Sequence, residues 1–114
     1  MEHRITREEL SSLLASARPP LLLEALPAKY FEDSHLPGAR NMPHDDVAEL
    51  APVLAPDKAA PIVVYCANAA CQNSHIAAAR LKQLGYTDVR VYGEGKQDWI
   101  GAGLPVEQVS AVAA

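Results

Sequence analysis

Between residues 62 and 92 the chain reads strand, loop, helix, turn, strand, and that order leaves few folds open. Ile62-Val63-Val64-Tyr65 is an apolar, largely β-branched run too short for a helix. Ser74 to Leu84 follows as an Ala-rich segment with helical spacing, and Gly85 supplies the left-handed residue that ends it. Val89-Arg90-Val91-Tyr92 is a second strand. Two neighbouring strands joined by a helical crossover run parallel, and the crossover is right-handed. Parallel strands need cover on both faces, so the chain is expected to be α/β. At 114 residues, 49% hydrophobic and 21% charged, it has the size and composition of one globular domain with a single sizeable core.

The flanking segments read as further elements of the same kind. His3-Arg4-Ile5 suits a short first strand, and Thr6-Arg7-Glu8-Glu9 is a capping box opening a helix with Leu10, Leu13, Leu14 and Ala17 on one face. Pro19-Pro20 ends that helix, and Leu21-Leu22-Leu23-Glu24 is a buried strand. A short helix is expected over Ala28 to Asp33, a tight turn at Pro37-Gly38, and a brief extended piece at Asn41-Met42-Pro43. His44-Asp45-Asp46 begins another helix, with Asp45 or Asp46 as its cap, and Pro52, Pro56 and Pro61 punctuate the connection to the next strand. Lys96 to Ala102 is a short helix carrying Trp99, whose indole N–H needs a carbonyl partner in the core. Residues 108–114 carry no turn signals and only weak periodicity, so they are expected to be a disordered tail on a domain spanning 1–107.

The chemistry concentrates at Cys66, which ends the strand at 62–65 where a polar loop hands over to the helix. The first turn of a helix has N–H groups without intrahelical partners and a partial positive charge, so a loop curling into it can hold an anion. A thiolate is such an anion, and a cysteine placed there can have its pKa drawn down to about 3.5–7.5. The remaining composition excludes several function classes. A formal net charge of −4 leaves no basic footprint for nucleic acid or an anionic membrane. The apolar runs are too short to span a bilayer, and no export signal opens the chain, so a cytoplasmic, reducing setting is expected. There, two cysteines are not expected to form a structural disulfide. Neither a Cys-x-x-Cys nor a His-x3-His pairing is present, so no metal and no other cofactor is expected.

Several segments, in the right order, resemble the rhodanese-like family of single-domain sulfurtransferases. They are Ser34-His35-Leu36-Pro37-Gly38-Ala39-Arg40-Asn41, Ile62-Val63-Val64-Tyr65-Cys66 with Ser74 and Ala77-Ala78-Ala79-x-Leu81, and Leu84-Gly85-Tyr86-x-x-Val89-x-Val91-Tyr92. The last is Gly95-x-x-x-Trp99-x-x-Ala102-Gly103-Leu104-Pro105-Val106. The resemblance implies a five-stranded, mainly parallel sheet with helices on both faces. It implies that Cys66 is a nucleophile that takes a sulfane sulfur from a small donor such as thiosulfate or a persulfide. The resulting persulfide would pass its sulfur to cyanide, a thiol or a protein acceptor. The backbone N–H groups of Ala67, Asn68, Ala69, Ala70, Cys71, Gln72 and Asn73 would cradle the persulfide, with the Ser74 hydroxyl as a cap or anion ligand.

Departures from the family pattern modify that expectation. Ser74 lies eight residues after Cys66 where the family commonly has six, Asn73 stands where an Arg is usual, and the loop has neither glycine nor cation. A dianionic donor therefore loses an attraction, and a phosphate ester would have no Arg clamp. Glu24-Ala25-Leu26 replaces the usual Asp-x-Arg, so a supporting ion pair is expected to be altered or lost; Glu94 stands in for the first glycine before Trp99, with Gly93 expected to absorb the turn. His35 is expected to stabilise its turn, and His75 to be exposed and idle. Cys71 is an addition: Cys66-x4-Cys71 could resolve a persulfide into a disulfide. Three readings stay open: a sulfurtransferase, a binding or regulatory module with a weakly active loop, and a thiol redox protein using Cys66 and Cys71.

Overall fold

The computed structural model describes residues 2–109. Over that span the chain alternates β1 (His3–Ile5), α1 (Arg7–Leu14), β2 (Leu21–Glu24), α2 (Ala28–Asp33) and β3 (Arg40–Asn41). A 3-10 turn at His44–Asp46 leads into α3 (Val47–Leu54), followed by β4 (Ile62–Tyr65), α4 (Asn73–Gln83), β5 (Val89–Tyr92) and α5 (Gly95–Gly101). The strands form one sheet in the order β1-β5-β4-β2-β3, with every pairing parallel. The sheet is thus wholly parallel, where the resemblance implied only mainly parallel. No helix among the described residues is long and apolar enough to cross a membrane.

Alternation along the central strands divides the core in two. Leu23, Ile62, Val64, Val89 and Val91 face α3 and α4, meeting Val47, Ala51, Ala77, Ala78 and Leu81. Leu22, Val63, Tyr65 and Tyr92 face the opposite layer, packing with Leu10, Leu36 and Trp99. All four residues of β4 are buried, as a central parallel strand covered on both faces requires. The register sets Ile5, Tyr92, Tyr65, Glu24 and Asn41 side by side at the sheet's C-terminal edge. Cys66 is the next residue beyond that row, so parallel topology alone places its thiol where ligands meet open α/β sheets.

Local chemistry explains most element ends. Thr6 Oγ1 accepts from the Glu9 N–H at 3.1 Å and a Glu9 carboxylate oxygen accepts from the Thr6 N–H at 2.9 Å, completing the capping box. Gly85, with φ of 100°, closes α4 as expected. Two expectations need correction. Pro52 lies inside α3 instead of in the following connection. The helix tolerates it because Ala48, whose carbonyl loses its partner, is solvent-exposed while Val47 and Ala51 anchor the other side. Asp46 precedes α3 but makes no capping hydrogen bond, because the 3-10 turn already leads the backbone into the helix. Of the expected tail, residues 110–114 lie outside the described residues. Val109, however, is tied down by its N–H to the Glu32 carbonyl at 3.2 Å, just after Glu107 pairs with His35.

Candidate active site

The site is built at the junction of β4 and α4. Cys66 is 1% exposed, and its thiol has two acceptors in reach, the Ser74 hydroxyl at 3.3 Å and the Cys71 carbonyl at 3.4 Å. Ser74 is the second residue of α4 and fully buried; it faces the sulfur and does not cap the helix, correcting one of its two expected roles. Its hydroxyl can accept from the thiol or turn to donate to a thiolate, whereas the Cys71 carbonyl can only favour the protonated form. Burial pushes the Cys66 thiol above its usual value and the hydrogen bond with Cys71 adds to this, while the Ser74 hydroxyl and N–H pull it down. The sequence suggested a lowered pKa from the helix start; the low exposure of the sulfur outweighs that contribution.

The loop itself is held from two sides. Asn68 makes a turn with its Oδ1 accepting from the Ala70 N–H at 3.0 Å and its carbonyl accepting from the Cys71 N–H at 3.1 Å. Two of the N–H groups expected to cradle a sulfur anion are therefore already used. Those of Ala67, Asn68, Ala69, Gln72 and Asn73 have no acceptor among the described residues. At the other end, the Lys96 and Gln97 N–H groups donate to the Cys66 and Ala67 carbonyls, both at 2.8 Å. These are orphan donors of the first turn of α5, so that helix start is satisfied by the backbone of the Cys66 loop.

That grip depends on Gly95. Its φ is +75°, and a Cβ there would meet Asn68 N at 2.7 Å, the Cys66 carbonyl oxygen at 2.8 Å and Ala67 C at 2.9 Å. Glu94, by contrast, has an ordinary φ of −68°, so the glycine it replaces is not needed; Gly95, and not Gly93, takes the strained turn. Gly95→Ala is expected to cost about 1–2 kcal/mol from the left-handed backbone alone, with the backbone clash adding to it. Urea unfolding should read the lost stability, and Cys66 alkylation should read the displaced loop.

Beneath the loop lies a buried ion pair that the sequence reading did not assign. Lys96 Nζ is 3.0 Å from Glu24 Oε1 and also donates to the Tyr30 and Ser34 carbonyls. Tyr65 donates to the same Glu24 oxygen at 2.8 Å and accepts from the Leu36 N–H at 3.0 Å. Burial pushes the Glu24 carboxyl up, against the hydrogen bonds from Tyr65 and Lys96. The supporting ion pair is thus altered, with its cation on α5 and not two residues after Glu24. A carboxylate closing the apolar run at Leu21-Leu22-Leu23 was the available signal.

The histidines divide. His35 Nδ1 lies 2.8 Å from the Phe31 carbonyl and its ring stacks on Phe31, a turn-stabilising role as expected. His75 is not idle: its Nδ1 sits 2.7 Å from Glu2 Oε1. Beside the loop a cleft of about 380 Å³ is lined by Ala69, His75, Gly93, Arg4, Arg7 and Asp98, among others. Its basic side chains already have carboxylate partners, Arg4 with Glu2 at 2.7 Å, Arg7 with Asp98 at 2.8 Å, and His75 with Glu2. Trp99 is buried and its indole N–H donates to the Pro105 carbonyl at 2.8 Å.

Residues 6–102 match the rhodanese-like domain family. This chain belongs to that family. Its fold is shared with a thiosulfate sulfurtransferase of Pseudomonas aeruginosa, at a TM-score of 0.82 and 26% identity over 93% of this chain and 20% of that one. A rhodanese-like domain from Anabaena superposes at a TM-score of 0.81, with 27% identity over 97% of this chain and 83% of that one. A curated relative, an HTH-type transcriptional regulator of Mycobacterium tuberculosis, is 32% identical over 111 residues. That match takes in 97% of this chain but 47% of the regulator, so the rhodanese-like chain spans about half the relative's length. The row of strand ends leading to Cys66, the Trp99 segment and the His35 turn all fall within or beside the matched span.

Proposed function

We propose that this domain carries sulfane sulfur as a persulfide on Cys66. The observation that carries the reading is the setting of that thiol, at the C-terminal end of a central parallel strand, with Ser74 at 3.3 Å and a following loop whose N–H groups at Ala67, Asn68, Ala69, Gln72 and Asn73 have no acceptor among the described residues. The Cys66 thiolate attacks the outer sulfur of a donor, the donor's sulfur–sulfur bond breaks, and the leaving group departs with the electron pair. The persulfide anion then extends into the loop, where the N–H groups of Ala67 to Ala69 and the start of α4 can solvate it. A thiol or protein acceptor takes the outer sulfur by the same displacement, and Cys66 returns as thiolate.

Charge favours a weakly charged donor. The loop between Cys66 and Ser74 has no cation, and the arginines and His75 of the neighbouring cleft are committed to carboxylates. A small-thiol persulfide should therefore load the domain faster than thiosulfate. Intact-mass measurement after incubation with each donor tests this: a gain of one sulfur on the peptide containing Cys66 supports the reading, and no gain from either donor rejects it.

A regulatory module is the second reading, favoured by the identity to a transcriptional regulator of which this chain spans 47%. The two separate on turnover. A carrier delivers many equivalents of sulfur to cyanide or a thiol, whereas a module that only registers sulfur loads once and stops.

A further inference from the structure

We propose that Cys71 resolves the Cys66 persulfide, releasing its sulfur as hydrogen sulfide and leaving a Cys66–Cys71 disulfide. This rests on the persulfide reading above and adds to it a reductive activity.

The geometry is that of a second cysteine whose backbone folds back onto the first thiol. Both cysteines are free, Cys66 buried and Cys71 partly exposed. The Asn68 turn reverses the loop and brings the Cys71 carbonyl oxygen to 3.4 Å from Cys66 Sγ. Backbone bond lengths then keep the Cys71 Cα within roughly 6 Å of that sulfur, so a shift of the short turn is enough to bring the two sulfurs into the disulfide geometry, whose Cα atoms stand about 4.4–6.8 Å apart. The α5 grip fixes the Cys66 and Ala67 carbonyls, and the Ile76 N–H holds the Gln72 carbonyl at 3.0 Å, so motion is confined to the short turn between them. Partial exposure leaves Cys71, and a resulting disulfide, open to a reductant from solvent.

The step balances as a thiol–disulfide exchange. The Cys71 sulfur attacks Cys66 Sγ, the bond from Sγ to the outer sulfur breaks, and the outer sulfur leaves with the electron pair as hydrosulfide, taking the Cys71 proton. The sulfane sulfur is reduced to sulfide while the two cysteine sulfurs are oxidised to a disulfide. A dithiol reductant then reopens the disulfide to two thiols and resets the site.

Wild type, Cys71→Ser and Cys71→Ala are loaded with a small-thiol persulfide, freed of donor by desalting, and followed by intact mass and a colorimetric sulfide assay. Wild type should lose its extra sulfur, end two hydrogens lighter than the reduced chain, and release one equivalent of sulfide at a rate independent of protein concentration. Both variants should keep the persulfide at least about tenfold longer, since the attacking thiol is no longer held at high effective concentration. If wild type keeps its persulfide as long as the variants do, the proposal fails while the carrier reading stands. If no protein gains sulfur at all, both fall together.

Discussion

Sulfur loading of Cys66 from thiosulfate, a donor whose charge is constant across the range, is expected to quicken about tenfold per pH unit between about pH 6 and pH 8. The reason is the position of the thiol. Burial holds its pKa above the usual 9.0, so at neutral pH only a small fraction is thiolate, and that fraction grows in proportion to hydroxide. A cysteine activated by the helix start would instead be fully ionised and its rate flat over the same interval. The two outcomes differ by about a hundredfold across two pH units, which stopped-time intact mass resolves easily. Cys66→Ser combined with Cys71→Ser should not load at any pH, because the serine hydroxyl left at position 66 is not a sulfur nucleophile at these pH values.

Breaking the Glu24–Lys96 pair should destabilise the domain by about 3–5 kcal/mol, the largest stability effect expected of a single side-chain replacement here. Lys96→Met leaves the fully buried Glu24 without its cation, and Glu24→Leu leaves Lys96 with only carbonyls for company. The double replacement Glu24→Leu with Lys96→Met should cost less than the sum, because neither charge is then stranded. Urea unfolding of the four proteins closes the cycle. The pH dependence has a definite sign. Since burial raises the folded-state pKa of Glu24, the folded chain holds its proton more tightly than the unfolded chain does. The associated stability is complete below about pH 4.5 and is lost as pH rises through the folded value. Relative to Glu24→Gln, wild type should therefore be more favoured near pH 4.5 than near pH 7. Through the Lys96 N–H on the Cys66 carbonyl, this pair also steadies the site, so its loss should slow sulfur loading as well.

The strand at 62–65, the helix behind it and the strand at 89–92 were legible because periodicity and Gly85 lie in contiguous residues. The capping box at Thr6 and the stacked turn at His35 were legible for the same reason. Pro52 misled, because a proline is tolerated in a helix when the carbonyl it orphans faces water, and exposure is not written in the local sequence. The role of His75 is hidden in the sequence because Glu2 is far from it along the chain and meets it only once β1 has paired at the edge of the sheet.

By itself the sequence determined the α/β class, the parallel crossover and the placing of a cysteine at the end of a central strand. Those depend on side-chain pattern and turn chemistry over short windows. Only the tertiary structure decided that the thiol is buried and its pKa raised, that Glu24 pairs with Lys96, that Gly95 must lack a side chain, and that Cys71 folds back toward Cys66. Each of these is set by how closely separate segments approach one another, and so by the solvent they exclude.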